Sequence, residues 1–141
     1  MSGAEIFIDG ASQGNPGHSG IGVVIFSGDK IIAELSKYIG HATNNIAEYS
    51  ALIYALEEAL IRHIYEISVK TDSELLCKQI NREYKVRNSG LKPYYEQVRR
   101  LIKGFKQFEI KHIGRQLNAR ADKLATVAIT RRSNALDETC L

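Results

Sequence analysis

The chain has 141 residues, 44% hydrophobic and 25% charged, with a formal net charge of +3 at pH 7. That length suits one domain with a single full core, and the composition is that of a globular chain rather than a disordered or fibrous one. No apolar run approaches the roughly 20 residues of a membrane span, and Met1-Ser2-Gly3-Ala4-Glu5 lacks the basic and apolar regions of a secretory signal, so a cytoplasmic protein without a membrane partner is expected.

Residues 4–9 read as a first strand closing on Asp9, followed by the turn-rich Gly10-Ala11-Ser12-Gln13-Gly14-Asn15-Pro16-Gly17. The runs 21–26 and 30–35, split by Ser27-Gly28-Asp29, read as a β-hairpin and complete an antiparallel meander. Over 45–63 the apolar Ile46, Tyr49, Ile53, Leu56 and Leu60 recur at helical spacing. A strand over 66–71, helices over 73–81 and 91–103, a strand over 108–113 and a last helix over 118–130 follow. The order β-β-β-α-β-α-α-β-α predicts an α/β fold with a five-stranded mixed sheet, meander first and parallel strands after, and helices on both faces. Residues 1–130 are expected to form the domain, with 131–141 a frayed or loosely docked tail.

The two cysteines make no disulfide framework. Cys77, among Leu75, Leu76 and Ile80, reads as a small buried hydrophobe, and Cys140 as a free thiol in the tail. Charge is distributed unevenly. Between Lys78 and Arg120 stand twelve basic residues against Glu83, Glu96 and Glu109, a net +9, which leaves −6 for the remainder. A basic surface beside an acidic centre suits a phosphate-rich polymer bridged by cations; a solvated charged helix face is the plainer alternative.

Four acids, Asp9, Glu48, Asp72 and Asp122, fall at the rims of predicted elements. Each has an ordinary explanation. Asn45-Ile46-Ala47-Glu48 fits a capping box, Asp72 or Ser73 can cap the helix that follows, and Asp122 suits the positive start of a helix that Asn118 can cap. Against these, Glu48 heads an apolar stripe of Ala51, Leu52, Ala55 and Ala59. Asp9 ends a hydrophobic strand that is central in this topology, where an unpaired charge costs several kcal/mol, on the order of the usual desolvation penalty. Together the four point to a divalent-metal site. No zinc-type Cys/His spacing is present, which favours hard cations and oxygen ligands. His112, where the last strand gives way to a loop, is a candidate proton carrier.

These residues carry a family resemblance. Ile8-Asp9-Gly10-Ala11-Ser12 with Gly14-Asn15-Pro16-Gly17, then Thr43-Asn44-Asn45-Ile46-Ala47-Glu48, then Thr71-Asp72-Ser73, and last His112 through Asn118 to Asp122-Lys123-Leu124-Ala125 together resemble ribonuclease H of type 1, over roughly residues 3–130. The resemblance implies the ribonuclease H fold in a compact form without the long basic protrusion. It implies two Mg²⁺ or Mn²⁺ ions held by Asp9, Glu48, Asp72 and Asp122, with His112 assisting. It implies hydrolysis of the RNA strand of RNA/DNA hybrids, leaving 5′-phosphate and 3′-hydroxyl ends, by a monomer. Asn15, Asn44 and Asn45 would read the minor groove and the RNA 2′-hydroxyls, and Thr43 and Asn88 would grip a phosphate of the DNA strand.

Departures from the familiar bacterial pattern fall on substrate grip. His41 replaces an arginine and Glu74 a glutamine, and residues 81–90 leave room only for a loop. The basic helix with Arg99, Arg100 and Lys103 is a candidate to compensate. The alternatives are a nuclease of the same fold acting on double-stranded RNA or DNA junctions, and a hybrid-binding module without catalysis.

Overall fold

The computed structural model describes the backbone of residues 3–139 and the side chains of residues 3–132. Three long strands lead, β1 (Gly3–Gly14), β2 (Gly17–Ser27) and β3 (Lys30–Ala42). Then come α1 (Asn44–Ile61), β4 (Glu66–Thr71), α2 (Glu74–Ile80), α3 (Lys92–Ile102), β5 (Gln107–His112) and α4 (Ala119–Thr139), with a short 3-10 turn at Arg115–Leu117. The sheet order is β3-β2-β1-β4-β5. β1 is antiparallel to β2 and parallel to β4, and β4 is parallel to β5. The expected α/β architecture and element order are therefore present.

The meander extends beyond the hydrophobic runs. β1 and β2 stay paired from Glu5↔Phe26 to Gly14↔Gly17 and turn around the cis Asn15–Pro16 bond. The stretch after Asp9 is thus strand rather than turn, because ladder hydrogen bonds hold glycines and polar residues whose own strand preference is weak. Asp9 lies inside β1, not at its end.

One face of the sheet carries the main core. Ile6, Ile8, Ile21, Val23 and Ile25 pack with Leu52, Ala55, Leu56 and Ala59 of α1, and Val69 and Ile110 extend the cluster. On the other face α4 lies directly on β2. A Cβ at Gly22 would come within 2.0 Å of the Ala121 carbonyl oxygen, and one at Gly20 within 2.5 Å of that of Ala125. Glycine on the strand and alanine on the helix bring α4 close enough to set Asp122 beside β1.

The backbone of α4 runs through Thr139, past the expected boundary at residue 130, so the segment read as a tail is helical as far as it is described. Cys77 is buried and free, while Cys140 lies outside the described residues. No helix among the described residues is long and apolar enough to cross a membrane.

Candidate active site

The site opens where β1 and β4 part. Their last paired residues are Ile8 and Thr71, so Asp9 and Asp72 follow side by side at the carboxyl end of the parallel pair, where α/β sheets present their crevices. Neither Glu48 nor Asp72 is occupied in capping. Thr43 caps α1, its Oγ1 accepting from the Ile46 amide at 3.2 Å, and Ser73 caps α2, its Oγ accepting from the Leu76 amide at 3.2 Å. The capping box expected from Asn45 to Glu48 is therefore absent. The helix begins earlier, which moves Glu48 into its second turn.

There Glu48 Oε1 accepts a 2.7 Å hydrogen bond from the Gly10 amide. Gly10 also makes the approach possible, since a Cβ on it would lie 2.3 Å from the carbonyl carbon of Ala47. Asn118 does not simply cap α4. Its Nδ2 donates to the Ile8 carbonyl at 2.8 Å, tying the start of that helix to β1.

The result is a cleft of about 410 Å³ lined by Asp9, Gly10, Ala11, Ser12, Asn44, Glu48, Asp72, Arg115 and Asp122. Asp9, Glu48 and Asp72 each offer an oxygen within 4.8 Å of the others. Asp122 stands outside that tight set but shares a side-chain hydrogen bond with Asp9.

Electrostatics reflect this crowding. Burial, followed by the charges of Glu48 and Asp72 and the hydrogen bond and charge of Asp122, pushes the Asp9 carboxyl up to about 9. Burial and the Asp72 charge push Glu48 up to about 8, against the opposing pull of the Gly10 amide, the Asp9 hydrogen bond and the Arg115 cation. Desolvated like charges favour protonation, and a cation reverses that preference. The oxygen-only donor set fits a hard divalent ion.

Comparison with known proteins agrees with the geometry. A family model described as reverse transcriptase-like matches residues 7–128. Over 124 residues the chain is 43% identical to ribonuclease HI of Halobacterium salinarum, covering 87% of this chain and 62% of that protein. The crystal structure of RNase H1 from the same archaeon superposes with a TM-score of 0.89 at 41% identity, covering 92% of this chain and 98% of that one. The chain belongs to the ribonuclease H type 1 family. LC11-RNase H1, solved in complex with an RNA/DNA hybrid, matches with a TM-score of 0.88 at 38% identity, covering 92% of this chain and 98% of that one. The chain spans less than two thirds of the Halobacterium protein, 62% of its length.

Within this ribonuclease H scaffold the other candidate residues divide. Asn44 lines the cleft, and its amide donates to Asn15 Oδ1 at 3.0 Å, so the two asparagine loops brace each other. Asn45 is exposed at the start of α1. Thr43 spends its hydroxyl on the helix cap. Asn88 lies in the loop before α3, its Oδ1 accepting from the Gly90 amide at 2.7 Å. Glu74 pairs with Lys78 at 3.2 Å. Arg99 turns inward onto the Ile80 carbonyl and the Tyr95 hydroxyl, so it is not a free cation for substrate.

His112 ends β5 opposite Thr71 and is exposed, but it is not among the residues lining the cleft. Arg115 is. In the sequence Arg115 stands out only as one of the twelve basic residues between Lys78 and Arg120. The one available signal was its position seven residues before Asp122, in the turn that returns the chain from β5 to the acids.

Proposed function

We propose that this chain is a metal-dependent endoribonuclease that hydrolyses the RNA strand of RNA/DNA hybrids as a monomer, with two Mg²⁺ or Mn²⁺ ions. The products would be 5′-phosphate and 3′-hydroxyl ends. The observation that carries the proposal is the meeting of Asp9, Glu48 and Asp72, with oxygens within 4.8 Å, in the cleft that Asp122 completes. Family membership and the hybrid bound to LC11-RNase H1 support the substrate class. All the residues assigned here fall within residues 1–130, the proposed catalytic domain.

The four carboxylates would hold the ions. When bound, such ions supply Lewis-acid stabilisation at the reacting phosphate and a more acidic water. Everything else falls to the chain. The Gly10 amide fixes the Glu48 carboxylate in one orientation. Arg115 lines the cleft and its charge acts on Glu48, so its guanidinium would hold a phosphate oxygen there. The amides of Asn15, Asn44 and Asn45 both donate and accept without charge, which suits minor-groove edges and 2′-hydroxyls. Thr43 and Asn88 would contact the DNA strand through groups their local bonds leave over, and His112, at the exposed end of β5, would serve protons.

The test is cleavage of labelled RNA/DNA hybrid, double-stranded RNA and double-stranded DNA of one sequence, in Mg²⁺ and in Mn²⁺. Cutting confined to the RNA of the hybrid is expected. Binding without cleavage in both metals would overturn the proposal.

A further inference from the structure

We propose that His18 and His41 form a second metal site, for a borderline transition-metal ion such as Zn²⁺, Ni²⁺ or Cu²⁺, separate from the carboxylate cleft. The two residues face each other across the β2–β3 ladder, His18↔His41, with ring centres 4.4 Å apart and planes inclined at 65°. Directly opposed cross-strand side chains share one face of the sheet, so one ion can reach both imidazoles.

A local irregularity supplies a third group. Tyr38 precedes His41 by three residues, and in a regular strand an odd step puts side chains on opposite faces. Here the register shifts. Ser19 pairs with Gly40 but Gly20 pairs with Tyr38, leaving Ile39 as an extra residue, while Gly40 takes a φ of +84°. This bulge returns Tyr38 to the face of His18 and His41. The Tyr38 hydroxyl then lies 2.7 Å from His18 Nδ1, and the Arg132 guanidinium stacks on the Tyr38 ring at 5.2 Å.

When the Tyr38 hydroxyl accepts from Nδ1–H of His18, Nε2 keeps its lone pair for the ion, the arrangement in which metal-binding histidines donate their other ring N–H to an outer partner. Imidazole suits Zn²⁺, Ni²⁺ and Cu²⁺, whereas the oxygen-only cleft suits hard cations, so the two sites sort ions by ligand chemistry. Both rings are exposed, so water can complete the coordination shell.

His63 is a built-in control. Its Nδ1 also lies 3.0 Å from a tyrosine hydroxyl, that of Tyr65, but its ring contact is with that tyrosine and not with a second imidazole. The experiment adds paramagnetic Ni²⁺ to the whole protein and follows each histidine ring by NMR. His18 and His41 should broaden at concentrations about tenfold or more below those that affect His63, the gain expected from two ligands held together. His41→Ala should raise the Ni²⁺ needed to broaden His18 by about tenfold or more. Tyr38→Phe should raise it by about tenfold, and Asp9→Asn should leave it unchanged. Joint broadening of His18, His41 and His63, or a His18 response indifferent to His41→Ala, would overturn the proposal.

Discussion

The Gly10 amide donates a 2.7 Å hydrogen bond to Glu48 Oε1 across 38 residues of sequence. Because Gly10 has no side chain, the first turns of α1 can lie against β1 at a separation that any other residue would prevent. One position thus supplies both the space and the donor that bring Glu48 to Asp9.

Gly10→Ala separates these effects from the carboxylates themselves. Its new Cβ would lie 2.3 Å from the Ala47 carbonyl carbon and 2.5 Å from the Glu48 nitrogen, all of it backbone. Overpacking against backbone costs about 1–3 kcal/mol and moves the helix. Chemical denaturation should show that loss, and hybrid cleavage should fall further than Tm alone explains, since Glu48 leaves its position. Wild-type turnover in a destabilised Gly10→Ala protein would show that the helix approach is structural only.

Asp9→Asn should abolish cleavage yet stabilise the metal-free protein. The Asp9 carboxyl is desolvated and surrounded by Glu48, Asp72 and Asp122, which push it up to about 9, so near neutral pH the metal-free protein must take up a proton there on folding, and a neutral amide of the same shape removes that cost. Thermal melts in EDTA should place the variant at or above wild type, while added Mg²⁺ or Mn²⁺ should no longer raise its Tm as much. A large loss of stability in EDTA would contradict the account of Asp9 as a strained ligand.

How far the site could be read beforehand follows from these particulars. Asp9 was legible because an acid is out of place in a central hydrophobic strand, and Glu48 because it heads an apolar helix stripe, whereas Asp72 and Asp122 each had an ordinary helix-start explanation and stood out only beside the other two. The caps were not legible. Thr43, Asn44 and Asn45 are all competent, as are Asp72 and Ser73, and only the backbone path selects the two hydroxyls. The long β1–β2 ladder was hidden in the same way, since the residues from Gly10 to Gly17 have turn chemistry and are held as strand by pairing with one another. Close approaches at Gly10, Gly20 and Gly22 depend on which helix lies above each strand, which no local pattern encodes.

The raised carboxyls set the pH dependence of metal-free stability. Asp9 moves from 3.8 to about 9 and Glu48 from 4.5 to about 8. A folded-state value above the unfolded one means that the folded protein holds protons the unfolded chain has released. Their contribution is therefore greatest below the unfolded values and is lost as pH rises toward the folded ones. Cation binding displaces those protons and restores stability. Melts between about pH 6 and about pH 9 should show Tm in EDTA falling with pH and the rise on adding Mg²⁺ or Mn²⁺ growing with pH. Asp9→Asn should flatten both trends, and a metal effect independent of pH in the wild type would refute the linkage.

Arg115 lines the cleft and its charge lowers the proton affinity of Glu48, whereas His112 is exposed at the end of β5. A guanidinium in a cleft of carboxylates supplies a fixed positive charge for a phosphate oxygen, and such electrostatic contacts are worth about 10²–10³-fold in rate when removed. Arg115→Ala should therefore reduce kcat/KM for the hybrid by about 10²-fold, with Arg115→Lys recovering only part of it, because a point charge does not reproduce the planar fork. His112→Ala should slow turnover by less than Arg115→Ala does, since His112 is exposed and does not line the cleft. Steady-state kinetics on one labelled hybrid compares the two directly. A larger loss at His112 than at Arg115 would make the histidine the more important of the two for turnover and leave Arg115 as a surface cation.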